Sequence, residues 1–128
     1  MVISESKWTA RICDELRNKG AIVISIVGGP MQMSGLPDRC LIHADLPKSV
    51  WLEFKGEHTI LRINQKIMMA NMNRVNEYTA FILRYPGSIQ YSHYGIGGRC
   101  CDIIIGSMYR SFNDARSLIS ALRDIHGR

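Results

Sequence analysis

The chain has 128 residues, 46% of them hydrophobic and 21% charged, and Lys plus Arg outnumber Asp plus Glu by 16 to 11 for a net charge of +5. A chain of this length supports one hydrophobic core rather than two, so residues 1–128 are expected to form a single domain. The sequence has no apolar run near the roughly 20 residues of a membrane span and no secretory order at its start, so an intracellular protein without a membrane partner is expected, its positive charge favouring polyanions.

Trp8, Ile12 and Leu16 recur at four-residue spacing between a capping serine, Ser4 or Ser6, and Gly20. This predicts an amphipathic helix over about 4–19, with Glu5 on its buried face at the first turn. Ala21 to Val27 is a β-branched run of the kind found in a central strand, and "GGPMQMSGLPD" after it is rich in turn formers. "RCLIHADL" and "SVWLEFKG" read as two strands of a hairpin turning near Pro47 and Lys48.

Leu61, Ile67, Met68, Met72 and Val75 mark the inner face of a helix over about 61–75, and "YTAFILRYP" reads as a buried strand. "SIQYSHY" and "CDIIIGSMY" are strand-like pieces about a "GIGG" turn. A closing helix in "SFNDARSLISALRDIHG" turns Leu118, Ile119, Leu122 and Ile125 inward. The order helix, three strands, helix, strands, helix predicts an α/β sandwich with a mixed sheet. Cys13, Cys40, Cys100 and Cys101 contain no C-x-x-C, so reduced, mostly buried thiols are expected rather than a zinc site or disulfide framework. Met31, Met33, Met68, Met69 and Met72 read as core filler first and a contact surface second.

The chemistry concentrates in "SVWLEFKG". Strand alternation puts Trp51, Glu53 and Lys55 on one face and Leu52 and Phe54 on the other. Asp38 lies at the start of the preceding strand, so a hairpin lets its carboxylate converge on Glu53. Two carboxylates close together repel unless a cation lies between them, and Mg²⁺ favours a couple of carboxylates completed by water and phosphate oxygens. A lysine beside such a site can orient or deprotonate an attacking water and offset charge growing on a phosphate. The plainer explanation of an E-x-K is a solvated same-side ion pair worth about 0 to 1 kcal/mol. Glu5 is likewise favoured in a first helical turn by the helix dipole.

"GLPD", then fourteen residues, then "EFK", with a glutamate in the first helix and Gln65 in the helix after the motif strand, resembles the PD-(D/E)XK nuclease superfamily, most closely its small VRR-NUC branch. The resemblance spans roughly residues 4–86. It implies a restriction-endonuclease-like mixed β-sheet flanked by helices and an Mg²⁺- or Mn²⁺-dependent endodeoxyribonuclease. Asp38 and Glu53 would bind the metal, Lys55 assist the water, Glu5 supply a further acid, and Gln65 stabilise the site or contact DNA. Stand-alone members are similar to Holliday-junction resolvases, and several are phage-encoded homodimers. Branched or four-way-junction DNA, a homodimer, a role in DNA repair and a place in the cytoplasm of a bacterial host are therefore expected.

Arg62, Lys66 and Arg74 are candidate phosphate contacts on the second helix. "YSHYGIGGRCCD" mixes Tyr91, Tyr94 and Arg99 with glycines that could serve a stacked base or a bound backbone but read first as a tight hairpin turn. Two rivals predict different behaviour: a catalytically idle basic module binds nucleic acid without needing a divalent metal, and an accessory subunit of a replication or repair complex binds DNA weakly by itself.

Overall fold

The structure, a computed structural model, describes residues 3–26, 35–106 and 110–127. Its elements run α1 (Glu5–Asn18), β1 (Ile22–Ser25), β2 (Arg39–Ile42), β3 (Val50–Lys55), α2 (Ile63–Val75), β4 (Ala80–Arg84), β5 (Ser88–Gln90), β6 (Ser92–Tyr94), a 3₁₀ turn (Cys100–Asp102), β7 (Ile103–Ile105), β8 (Arg110–Ser111) and α3 (Ala115–His126). Six strands form one mixed sheet in the order β1-β2-β3-β4-β5-β8, and β6 and β7 pair as a separate ribbon. Among the described strands only β3 and β4 pair in parallel, which requires the crossover that α2 provides.

Helix α1 begins where Ser4 Oγ accepts from the Lys7 amide at 3.2 Å, and α3 begins where Asp114 accepts from the Ser117 amide at 2.9 Å. Trp8, Ile12 and Leu16 from α1 and Leu118, Leu122 and Ile125 from α3 bury against Leu52, Phe54, Phe81 and Leu83. The opposite face of the sheet carries α2 and a smaller cluster, Leu61, Met69, Ala80 and Ile82, with Trp51, Met72 and Ile105 packed on it. Mixed α/β architecture with helices flanking the sheet is therefore as expected.

Several local expectations are corrected. β1 lies at the sheet edge rather than its centre, with Ile22 and Ile24 exposed, because a β-branched run reports strand preference and not the number of neighbours. On α2 the buried positions are Met69, Ala70 and Asn73, whereas Val75 is exposed and Leu61 precedes the helix. Gln65 and Asn73 face inward, and of the expected stripe Leu61 and Met72 do pack on the inner cluster whereas Val75 does not. "SIQYSHY" divides into β5, which joins the main sheet, and β6, which leaves it for β7. Cys13 and Cys40 are buried free thiols, but Cys100 and Cys101 are exposed. Val27, the "GGPMQMS" part of the loop with Met31 and Met33, and residues 107–109 lie outside the described residues.

Asn73 fastens α2 in place. Its amide donates to the carbonyls of Ala80 at 3.1 Å and Ser92 at 2.8 Å and accepts from the Thr79 and Ala80 amides at 3.0 and 2.8 Å. Removing a buried partner leaves backbone groups unsatisfied at about 1–3 kcal/mol each. Asn73→Ala should therefore lower unfolding stability by about 3 kcal/mol or more in urea titration, and a loss below about 1 kcal/mol would refute this role.

Candidate active site

β3 lies between β2 and β4, and Leu52 through Lys55 are all buried. Leu52 and Phe54 enter the larger core, while the parallel register sets Glu53 beside Ile82 and Lys55 beside Arg84 on the α2 side. Glu53 is 6% exposed and Lys55 9%, values that ordinary solvated E-x-K pairs do not have. Lys55 Nζ stands 3.6 Å from Glu53 Oε2. The same oxygen accepts from Gln65 Nε2 at 3.2 Å, and Gln65 Oε1 in turn accepts from the Arg62 amide at 3.0 Å. Gln65 thus caps the start of α2 and fixes the Glu53 carboxylate in one contact chain.

Asp38 reaches the same place from the other side. The register that pairs Arg39 with Leu52 places Asp38 opposite Glu53. Its carbonyl accepts from the Ile26 amide at 2.9 Å, anchoring the residue at the mouth of β2. Asp38 Oδ1 is buried without a hydrogen-bond partner, while Oδ2 lies 3.9 Å from Arg39 Nη1. Burial holds the Asp38 carboxyl above its ordinary value, opposed by Arg39, the Phe54 amide and Lys55. Burial and then the Asp38 charge push Glu53 up to about 7, with Lys55 pulling the other way. The Asp38 charge thus makes Glu53 harder to ionise, an arrangement that a bound cation would relieve.

Glu5, Asp38 and Arg39 line one cleft of about 550 Å³. Glu5 also reaches over the end of β3, since a Cβ built on Gly56 would lie 3.5 Å from Glu5 Oε2. Arg62 is exposed at the N-cap of α2, Lys66 is half-buried one turn on, and Arg74 is exposed in the last turn. Four-residue spacing puts these three on one ridge through Ala70.

Two further residues shape the site, one inside the "GLPD" motif and one that nothing in the sequence marked. Gly35, the first residue of "GLPD", has φ +86°, and a Cβ there would fall 2.4 Å from the Asn64 carbonyl oxygen. The loop carrying Asp38 therefore rests directly on the first turn of α2, the turn that carries Gln65. Gly35→Ala should cost about 2–4 kcal/mol from left-handed strain and the clash together. Thermal melts that matched the native protein would contradict this contact. Arg84 donates through Nη1 to the Gly56 carbonyl at 2.9 Å and the Thr59 carbonyl at 2.6 Å, holding the chain that leaves Lys55. An arginine at a strand end carried no signal of that task, because the parallel partner of β3 is invisible before folding.

Among the described residues, no group of three or more His, Cys, Asp or Glu side chains forms a metal cage. A buried Glu53 carboxylate beside a half-buried Asp38 carboxylate with one unpartnered oxygen fits a different kind of ion. Mg²⁺ or Mn²⁺ takes one or two carboxylates and completes its shell with water and substrate oxygens, whereas a structural zinc site needs four protein ligands. Comparison with protein-family models and with curated proteins finds no match for this chain. No helix among the described residues is long and apolar enough to cross a membrane.

Proposed function

We propose that the protein is a metal-dependent DNA endonuclease of PD-(D/E)XK type, acting on branched or four-way-junction DNA. The observation that carries this reading is the gathering of Asp38, Glu53 and Lys55 on neighbouring strands, with Glu53 and Lys55 buried, and with half-buried Asp38 opening onto a cleft it shares with Glu5 while its Oδ1 is left without a partner. A purely structural ion pair gains nothing from a second acid that raises the first. Two acids and a lysine in this arrangement suit phosphodiester hydrolysis.

Asp38 and Glu53 are the residues that would hold Mg²⁺ or Mn²⁺, and such an ion lowers the pKa of a bound water and polarises a phosphoryl oxygen. Lys55 orients the attacking water from its place against Glu53 and offsets negative charge as it grows on the phosphate. An oxygen–phosphorus bond forms in line as the bond to one bridging oxygen breaks, and that oxygen leaves with a proton. Gln65 is a positioning residue, because it holds Glu53 rather than the substrate. Glu5 contributes further negative charge at the cleft. The net charge of +5 and the Arg62, Lys66 and Arg74 ridge draw the DNA in. A homodimer would supply one such site to each of two strands of a junction, and light scattering measures that state directly.

The test is cleavage of labelled four-way junction, flap, single-stranded and linear duplex DNA in Mg²⁺, Mn²⁺ or EDTA. Cutting that requires the metal and is fastest on the junction is expected. Salt-sensitive binding without cutting under every metal would overturn the enzyme and leave an idle binding module.

A further inference from the structure

A crevice of about 440 Å³ lies between the C-terminal half of α2 and the segment from Tyr91 to Tyr94, away from the acids. Ala70, Asn73 and Arg74 form its helical wall, and Glu77 follows just beyond the end of α2. The facing wall is aromatic: Tyr91 and His93 stack with centroids 5.8 Å apart, and Tyr78 meets Tyr91 at 5.6 Å. Tyr94 closes the crevice, its hydroxyl donating to Asn71 Oδ1 at 3.1 Å. His93 Nδ1 is buried and has no hydrogen-bond partner. Hairpin geometry alone explains the glycines of the following turn but neither the ring cluster nor that unpartnered nitrogen.

We infer that this crevice takes one unpaired nucleotide of the bound DNA, with its base on the rings of Tyr94 and His93 and its phosphate at Arg74. The inference rests on the proposed nuclease reading and adds a second contact to it. A tyrosine or histidine face stacks on any base, which gives tolerance of sequence. Arg74 supplies the phosphate contact, and the Glu77 carboxylate can accept from an exocyclic amine on the base edge. His93 Nδ1 offers a further polar contact that a bound base would satisfy. Roughly nine residues separate Gln65 from Arg74, about 14 Å of helix. That is about four stacked nucleotides at 3.4 Å each. A flap or an unpaired arm of a branched substrate can therefore engage both places at once, which a blunt duplex does not.

The experiment measures binding by fluorescence anisotropy in EDTA, so that no cleavage intervenes. The probes are a 12-nucleotide single strand, a duplex with a single-stranded overhang and a blunt duplex. Tyr94→Ala should weaken binding of the single strand and the overhang about tenfold, with the blunt duplex much less affected. Tyr94→Phe keeps the ring but loses the Asn71 hydrogen bond, so recovery of affinity in that variant assigns the effect to stacking. Equal affinity of Tyr94→Ala and the native protein for all three probes would overturn the crevice while leaving the nuclease reading intact. Absence of binding to all three probes would also overturn the crevice, and cleavage of a four-way junction in Mg²⁺ then decides the nuclease reading separately. As a check that needs no folded variant, an oligonucleotide carrying 5-iodouracil should photocrosslink the native protein within residues 91–94, and adducts confined to other segments would refute the assignment.

Discussion

Lys55→Ala is expected to lower the rate of DNA cleavage by about 10²- to 10⁴-fold, the range for losing a positioned acid–base group, while largely keeping metal-dependent DNA binding. The separation follows from what each side chain touches. Lys55 faces Glu53 at 3.6 Å and is not among the oxygens that would hold the ion. Asp38→Ala and Glu53→Ala should instead lose cleavage and the response to Mg²⁺ together, because each removes one of two carboxylates. Isothermal titration with Mg²⁺, run beside gel-based cleavage of a four-way junction, reads both properties. Native-rate cutting by Lys55→Ala would remove the lysine from the chemistry and with it the proposed mechanism.

Glu53→Gln should make the metal-free protein more stable at pH 8 while abolishing cleavage. Burial and Asp38 raise the Glu53 carboxyl from 4.5 to about 7. A group held above its unfolded value contributes stability fully below pH 4.5 and loses it as the pH climbs through about 7. The raised Asp38 carboxyl adds to the loss in the same direction. Between 4.5 and 7 the linkage for Glu53 amounts to roughly 3 kcal/mol at 1.36 kcal/mol per pH unit. About 2 kcal/mol of it should appear in Glu53→Gln after Lys55 loses its ionic partner, or roughly 8 °C in Tm for a domain this size. Calorimetry in EDTA at pH 5 and pH 8 checks the sign, since the gain should be present at pH 8 and nearly absent at pH 5. A variant less stable than the native protein at pH 8 would show that Glu53 serves Lys55 as a structural ion pair. Stability given up for a charged site is the pattern expected where function needs the charge.

The fold was legible wherever one face of an element had to be apolar. Trp8, Ile12 and Leu16, and Leu118, Leu122 and Ile125, announced α1 and α3 because the large core needs those stripes and the caps beside them are local chemistry. α2 misled for the opposite reason. Its inner face mixes Met69, Ala70 and Met72 with Gln65 and Asn73, whose partners lie on β3, β4 and β6, so the apolar stripe is broken by polar residues. β1 read as central because strand preference is local, whereas an edge position depends on which strands fold beside it.

The candidate site divides in the same way. Glu53 and Lys55 were neighbours from the sequence alone, since residues two apart on a strand must share a face, and the fourteen-residue interval back to Asp38 suited a hairpin. Only the tertiary structure decided that this face would be covered by α2, that Gln65 would grip Glu53, and that Gly35 would let the Asp38 loop rest on the Asn64 carbonyl. Those outcomes depend on contacts between segments far apart in the chain. Local pattern determines which side chains share a face, but packing determines how far that face is withdrawn from water, and withdrawal is what raises the Asp38 and Glu53 carboxyls.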